Sequence, residues 1–293
     1  MKFYTKLILL IAIGITSNAI AQSPVSGFIN KKGKGSVALS FNSESYDEVY
    51  LVPEKTKGVP VYNKVTTTSV NLYTTYGITD KIEAVFSLPY ISSKGEGEES
   101  FLKANGFSNT KSGLQDASVF LKFKPYSTKI GNIKVDFLGT AGITTPLGDY
   151  KVDEDLQSII AISNRSTKIT TMGIVHAQGK EGVFFTGQVG YSIRDNRVPN
   201  AFVSEAKIGY AGKNVYVDGW VAYQNSDPKG TDILQDRFDG FFPATRVNYT
   251  RIGANVYAPI YKGLGAVVGF NTYVDGRNLG KSTGGTIGVV YNY

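Results

Sequence analysis

Residues 286–293 read Thr-Ile-Gly-Val-Val-Tyr-Asn-Tyr, and their alternation constrains the fold more than any other segment. Ile287, Val289, Tyr291 and Tyr293 fall on one face of an extended chain; Gly288, Val290 and Asn292 fall on the other. Such a strand left at a sheet edge would expose unpaired N–H and C=O groups beside apolar side chains, a template for aggregation. A sheet that curls until its last strand pairs with its first has no edge. The expectation is therefore an all-β, closed barrel.

From Gly35 onward the chain carries period-two patterning and no helical period. Strands are expected near 35–46, 65–77, 81–91, 114–126, 132–145, 166–178, 183–193, 201–211, 215–226, 246–260, 264–275 and 283–293, about twelve, each long enough to cross a bilayer when tilted. The faces differ in chemistry. Ala117, Val119, Leu121 and Phe123 oppose Asp116, Ser118, Phe120, Lys122 and Lys124; Ile133, Val135, Phe137 and Ala141 oppose Lys134, Asp136 and Thr140. Ile82, Ala84, Phe86 and Leu88 lie opposite Glu83; Phe202, Ala206 and Ile208 lie opposite Glu205 and Lys207; Ile252, Ala254 and Val256 lie opposite Arg251 and Tyr257. Charges thus occur at mid-strand, on one face only. Facing lipid, a Lys or Arg would cost about 2–4 kcal/mol at the midplane; facing a wet lumen it costs little.

Two strands break the pattern. Met172 and Ile174 fall on the face expected to be polar in 166–178, and Phe184 and Phe185 stand back to back in 183–193. Either these inner faces touch something inside the barrel, or a bulge reverses the register.

The connections alternate in length. Segments 77–80, 127–131, 179–182, 212–214 and 261–263 are tight and rich in turn residues, whereas 47–64, 92–113, 146–165, 194–200, 227–245 and 276–282 are longer. Short turns at one end and long loops at the other form the outer-membrane pattern, which would put both termini in the periplasm. Tyr76, Tyr90, Tyr126, Tyr191, Tyr210 and Tyr223 lie near strand ends, where an interfacial girdle is expected.

The N-terminus agrees. A basic start to Lys6, an apolar run to Ile15 and small residues at Ala19 and Ala21 predict a secretory signal peptide over 1–21, leaving 22–293 as one barrel domain. No cysteine is present, which excludes disulfides, thiolate metal sites and a lipid anchor at the cleavage site. No later run is long and apolar enough for a membrane-spanning helix. The net charge of +7 includes two lysines of the leader and is scattered, so no nucleic-acid partner is implied.

An aromatic C-terminus preceded by apolar residues at every second position resembles the signal by which bacterial outer-membrane barrels engage their assembly machinery. A second resemblance is sharper. Tyr76-Gly77-Ile78-Thr79-Asp80-Lys81 followed by Pro89-Tyr90, then Gly113-Leu114-Gln115-Asp116 with Leu121-Lys122-Phe123-Lys124, then Gly142-Ile143-Thr144-Thr145-Pro146-Leu147-Gly148-Asp149, resemble blocks of one outer-membrane family. It is the family named after the meta-cleavage pathway of phenol degradation; Gln115 and Leu147 stand where its pattern has Gly and Thr. The resemblance implies a twelve-stranded, transporter-like barrel for small compounds, hydrophobic and aromatic ones included, and carries no catalytic residues.

No cofactor or metal is implied by the residues. The acidic stretches at 149–155 and 96–99 read as solvated loops, with a calcium site as the sharper alternative. His176, the single histidine, reads as a strand residue near the short-turn end. The expected solute path is Tyr73, Glu83, Asp116, Phe120, Lys122, Lys124, Lys134, Asp136, Glu205, Lys207, Asp218, Trp220, Arg251 and Tyr257, the charges filtering and the aromatics forming walls. The same residues would equally suit a salt-bridged plug. Three functions follow: a channel for small-molecule solutes, a structural or surface-binding barrel with a plugged lumen, and, less in keeping with the motifs, a lipid hydrolase. Membrane lipid and lipopolysaccharide are the expected surroundings.

Overall fold

The computed structural model describes residues 24–53 and 55–293; the expected signal peptide lies outside them. Twelve antiparallel strands form the barrel: β1 (Gly35–Tyr46), β2 (Lys64–Thr79), β3 (Ile82–Glu96), β4 (Asp116–Ile130), β5 (Ile133–Pro146), β6 (Lys168–Gly179), β7 (Val183–Arg194), β8 (Ala201–Ala211), β9 (Tyr216–Ser226), β10 (Asn248–Tyr261), β11 (Leu264–Arg277) and β12 (Thr283–Asn292). Each pairs with its sequence neighbours, and β12 closes on β1 from Ser36 opposite Asn292 to Ser45 opposite Thr283. The barrel has no free edge in its wall. No helix among the described residues is long and apolar enough to cross a membrane.

The expected alternation is realised. Val37, Leu39, Phe41, Leu121, Phe123, Val189, Ile208, Val268, Ile287 and Val289 are exposed on the outer surface, whereas Glu83, Asp116, Lys122, Glu205, Asp218 and Arg251 are buried within. Exposed tyrosines mark both rims: Tyr76, Tyr126, Tyr210 and Tyr291 toward the short turns, Tyr90, Tyr191 and Tyr223 toward the long loops.

Boundaries differ where local chemistry decides them. The turn expected over 127–131 shrinks to Gly131-Asn132, because β4 runs on through Ile130, facing Ile133. Gly131 supplies the left-handed φ of 59° that a two-residue hairpin with glycine first requires. A bulge between Phe123 and Tyr126 absorbs Pro125, which has no N–H to give the ladder. The loop expected over 92–113 holds a short helix, Glu99–Ala104, and a strand, Thr110–Leu114, pairing with the upper part of β3. Leu114 therefore points outward and Asp116 inward, with Gln115 as the extra residue between them.

The long loops gather over their end of the barrel in two apolar clusters, one of Val59, Tyr62, Val65, Leu102 and Ile160, the other of Ile91, Tyr150, Val152 and Ile162. The Arg277 guanidinium grips Asp232 at 2.6 and 2.7 Å, and Asn278 donates to the same carboxylate at 2.7 Å, tying loop 227–245 to the β11–β12 connection. These donors, Arg277 foremost, hold the Asp232 carboxyl below the usual carboxylate range.

Two predictions follow from this architecture. In phospholipid vesicles Phe41→Arg, on the outer surface, lowers unfolding free energy by about 2–4 kcal/mol, and Ser40→Arg, on the inner face, lowers it by much less; urea titration checks the pair. A depressed folded-state value means that the Asp232 tie is fully present above the unfolded carboxyl value of about 3.9 and is lost as pH falls through the lower folded value. Asp232→Asn imitates the protonated form, and at neutral pH it accelerates trypsin cleavage at the exposed Lys229 and Arg237 of that loop.

Candidate functional site

The strands aim one side chain in two at the lumen, so the site is the barrel interior. Residues 24–34 precede β1 on the short-turn side; 24–30 lie inside that interior, and 31–34 are exposed at its rim. At their C-terminal end Gly33 donates to the Gly77 carbonyl and Gly77 to the Lys34 carbonyl, both at 2.8 Å. Asn30 donates from its backbone (2.9 Å) and from its amide (2.7 Å) to Glu83, and from the amide to Thr75 (2.9 Å). Lys122 pairs with Glu83 and donates to the carbonyls of Phe28 and, at 3.1 Å, Ser26. Tyr73 donates to the Pro24 carbonyl (3.2 Å) and Gln188 to that of Val25 (3.1 Å).

Apolar contacts complete the grip. Val25 is buried with Val85, Phe120, Leu138, Met172 and Ile174, while Ile29 packs at the margin. Met172 and Ile174, which broke the expected pattern, therefore face the chain's own N-terminal segment. Phe184 is the inward residue of the Phe184-Phe185 pair, and it meets Phe28 edge-on at 5.1 Å. Phe28 also covers His176, with ring centroids 4.4 Å apart, and His176 Nδ1 lies 2.7 Å from Thr186 Oγ1. The buried imidazole is packed under an aromatic ring, with a threonine rather than a serine as its hydrogen-bonding neighbour.

Most of the remaining inward charges form compensated sets. Lys207 stands between Glu205 (3.7 Å) and Asp218 (3.6 Å), and Asp218 also accepts from Tyr216 (2.5 Å) and Asn255 (2.7 Å). Arg251, fully buried, pairs with Glu44 at 2.5 Å, donates to Asn271, and lies over the Tyr273 ring at 4.6 Å. Asp116 accepts from Lys168 (3.2 Å), Ser163 (2.8 Å) and Tyr150, so loop 147–165 is tied directly to the lumen wall. Asp136 gathers Lys134, Lys124 and Ser127 near the short-turn rim. Buried charges paired this way hold one another in place, and removing one partner typically costs about 3–5 kcal/mol.

Among the described residues, two cavities lie within the barrel. The larger, about 490 Å³, is bounded by Tyr73, Trp220 and Tyr257 with Asn42, Asn71 and Asp218; the smaller, about 210 Å³, by Phe120, Met172, Arg194 and Tyr249. Both touch Pro24 and Ser118, so Pro24 of the inturned segment lies between them. The wall aromatics lie over glycines. Trp220 faces Gly253, where an added Cβ would come 2.3 Å from the indole, and Phe120 faces Gly142, where it would come 2.2 Å from the ring. Cross-strand glycines thus let these rings flatten against the wall. The indole N–H is buried and, among the described residues, meets no acceptor.

All fourteen expected lumen residues sit on inward positions, with separate placements. Tyr73, Asp116, Lys207, Asp218, Trp220 and Tyr257 border the larger cavity, and Phe120 and Glu205 the smaller. Glu83 and Lys122 clasp the inturned segment, Arg251 is locked to Glu44, and Lys124, Lys134 and Asp136 cluster at the rim. Glu83, Lys122 and Arg251 are each buried against a partner, an arrangement that matches the salt-bridged alternative expected for these residues. Residues 24–34, Arg194 and Lys168 were not anticipated. The signal for the first was Met172, Ile174 and Phe184 on an inner face; Arg194 was hidden because it closes a strand where a loop was expected to begin.

Three carboxylates of the acidic loops pair with local cations, Glu99 with Lys103 at 2.9 Å, Glu154 with Lys111 and Asp149 with Arg165 at 3.4 Å. No metal-binding cluster of histidines or carboxylates forms among the described residues.

No family model and no curated protein matches the chain, so the family resemblance of 76–149 stands on its motifs alone. Among solved structures the chain is similar to an outer membrane channel from Pseudomonas putida F1, with TM-score 0.70 and 14% identity over 94% of this chain and 100% of that one. More distant are the translocator domain of the autotransporter NalP from Neisseria meningitidis (TM-score 0.41, 10% identity, 90% of each chain) and the monoaromatic hydrocarbon channel CymD (TM-score 0.39, 8% identity, 90% of this chain and 89% of that one). The first likeness establishes the fold, a twelve-stranded barrel of the outer-membrane kind, and nothing finer.

Trp220, the single tryptophan, reports on the wall. Gly253→Val tips the indole into the larger cavity, raising its quenching by acrylamide and shifting its emission to longer wavelength; an unchanged spectrum would refute the flattening.

Proposed function

We propose that the chain is an outer-membrane channel through which small molecules, hydrophobic and aromatic ones included, diffuse passively or with facilitation. It stands among lipid and lipopolysaccharide, short turns and both termini on the periplasmic side, and its last strand serves as the recognition element for the barrel-assembly machinery. The observation that carries this reading is the pair of aromatic-walled cavities with Pro24 of the inturned segment between them. Tyr73, Trp220 and Tyr257 offer stacking surfaces, the indole N–H offers a donor to a polar substituent, and Asp218 with Lys207 sets the local field. The inturned segment closes the path toward the short turns and opens it by leaving its seat.

Lys122 is the pivot of that closure, because one ammonium joins Glu83 to two carbonyls of the segment. Replacing it leaves Glu83 buried without its cation and the segment without two donors. In planar bilayers the full chain gives small or rare openings, and Lys122→Met raises mean conductance severalfold. The paired variant Lys122→Met with Glu83→Gln, which removes the stranded charge, restores barrel stability but not closure. A second reading, a plugged barrel that acts through its long loops, is favoured by the same filled lumen. Silence of both the full chain and the folded Lys122→Met variant would select it.

A further inference from the structure

Among the described residues, the buried or half-buried cations of the barrel strands have a carboxylate within 4.0 Å, with one exception. Lys122 has Glu83, Lys124 has Asp136, Lys168 has Asp116, Lys207 has Glu205 and Asp218, Arg251 has Glu44 and Arg277 has Asp232. The exception is Arg194, half-buried at the end of β7. Its side chain folds back along the strand, Nε reaching Ser192 Oγ at 3.4 Å, Nη1 the Pro199 carbonyl at 3.5 Å and Nη2 the Gln224 side-chain oxygen at 2.7 Å. All three acceptors are neutral. A guanidinium has five N–H donors in a planar fork, so two remain for another partner.

That fork borders the smaller cavity. Lys168 adds a second cation at the same end, while Phe120, Met172, Val203 and Tyr249 supply apolar wall. Glu205 also borders the cavity and pairs across the strands with Gln188, six residues before Arg194 and so about 20 Å away along β7. The cavity is thus polar-cationic at one end and apolar along its sides, with Glu205, paired to Lys207, at the other. Its volume of about 210 Å³ admits one small ring: a dry cavity of about 150 Å³ is known to take benzene.

We propose that this cavity binds a small organic anion with an apolar body, a monocarboxylate whose oxygens accept from the Arg194 fork. An aliphatic or aromatic body fills the space between Phe120 and Met172. Arginine suits the task because it meets a carboxylate with two parallel hydrogen bonds. The proposal names the solute class for the channel reading and rests on it, although binding itself can be measured without transport.

The probes are benzoate and its neutral isostere benzamide, titrated calorimetrically into the detergent-solubilised full chain. The expected result is benzoate binding, with benzamide weaker by at least about tenfold, and loss of that preference in Arg194→Gln. Should the variant fail to fold, the two probes on the unaltered chain still decide. Equal affinity for both, no benzoate binding at millimolar concentration, or an unchanged preference in the folded variant overturns the proposal and leaves Arg194 as a tie between Ser192, Pro199 and Gln224. Uptake of both probes into liposomes is followed separately. Benzoate binding without uptake of either removes the channel reading and keeps the site; uptake without binding removes the site and keeps the channel.

Discussion

Every backbone N–H and C=O in a wall one strand thick needs a partner, because an apolar surroundings supplies none. The pairing of β12 with β1 meets that demand, and the rest of the structure depends on it. Closure decides that each strand has an inside and an outside, so the period-two alternation of residues becomes a separation of two environments. A one-residue slip of β12 against β1 would turn Ile287 inward and Thr286 outward while Phe41 and Asn42 kept their faces. The hydrogen bond from Thr286 Oγ1 to Asn42 Oδ1 (2.7 Å) spans that seam from the inner side, linking the two strands at the matching register.

An enclosed interior changes what charge can do. In water the lysines and carboxylates of the inner face would be independent; here they are organised into small groups of opposite charge. Lys207 with Glu205 and Asp218, Arg251 with Glu44, and Lys122 with Glu83 all follow that rule. The Lys122 group differs in spending its remaining donors on main-chain carbonyls of a segment that belongs to no strand. Electrostatic compensation in the wall and retention of the inturned segment are therefore one interaction.

Much of this was legible in the residues. Strand positions, the alternation of short turns and long loops, and the inward direction of Asp116, Lys122, Glu205 and Arg251 follow from period two alone, because an amphipathic strand in a closed sheet has only two faces. Bulges were harder to foresee. Nothing in Gly113-Leu114-Gln115-Asp116 marks Gln115 as the extra residue until its side chain is seen donating to the Ile162 carbonyl at 2.7 Å. The segment 24–34 carries no periodicity, since its residues meet partners from several strands in turn, and only Met172, Ile174 and Phe184 on an inner face announced it. Arg194 escaped because the absence of a counter-charge is a property of three-dimensional neighbourhood, which spacing along a strand does not encode.

The seat of residues 24–34 is assembled from distant parts of the chain: Thr75 on β2, Glu83 on β3, Lys122 on β4, His176 on β6, Gln188 on β7 and Tyr216 on β9. No hairpin or half-barrel contains that set. The first residues described are thus among the last that can find their place, waiting until the strands from β2 to β9 have come together. During that interval the nascent interior is accessible from below, and whatever occupies it must be displaced as the segment docks. Docking of this early segment thus has to follow the meeting of strands that come after it in the chain.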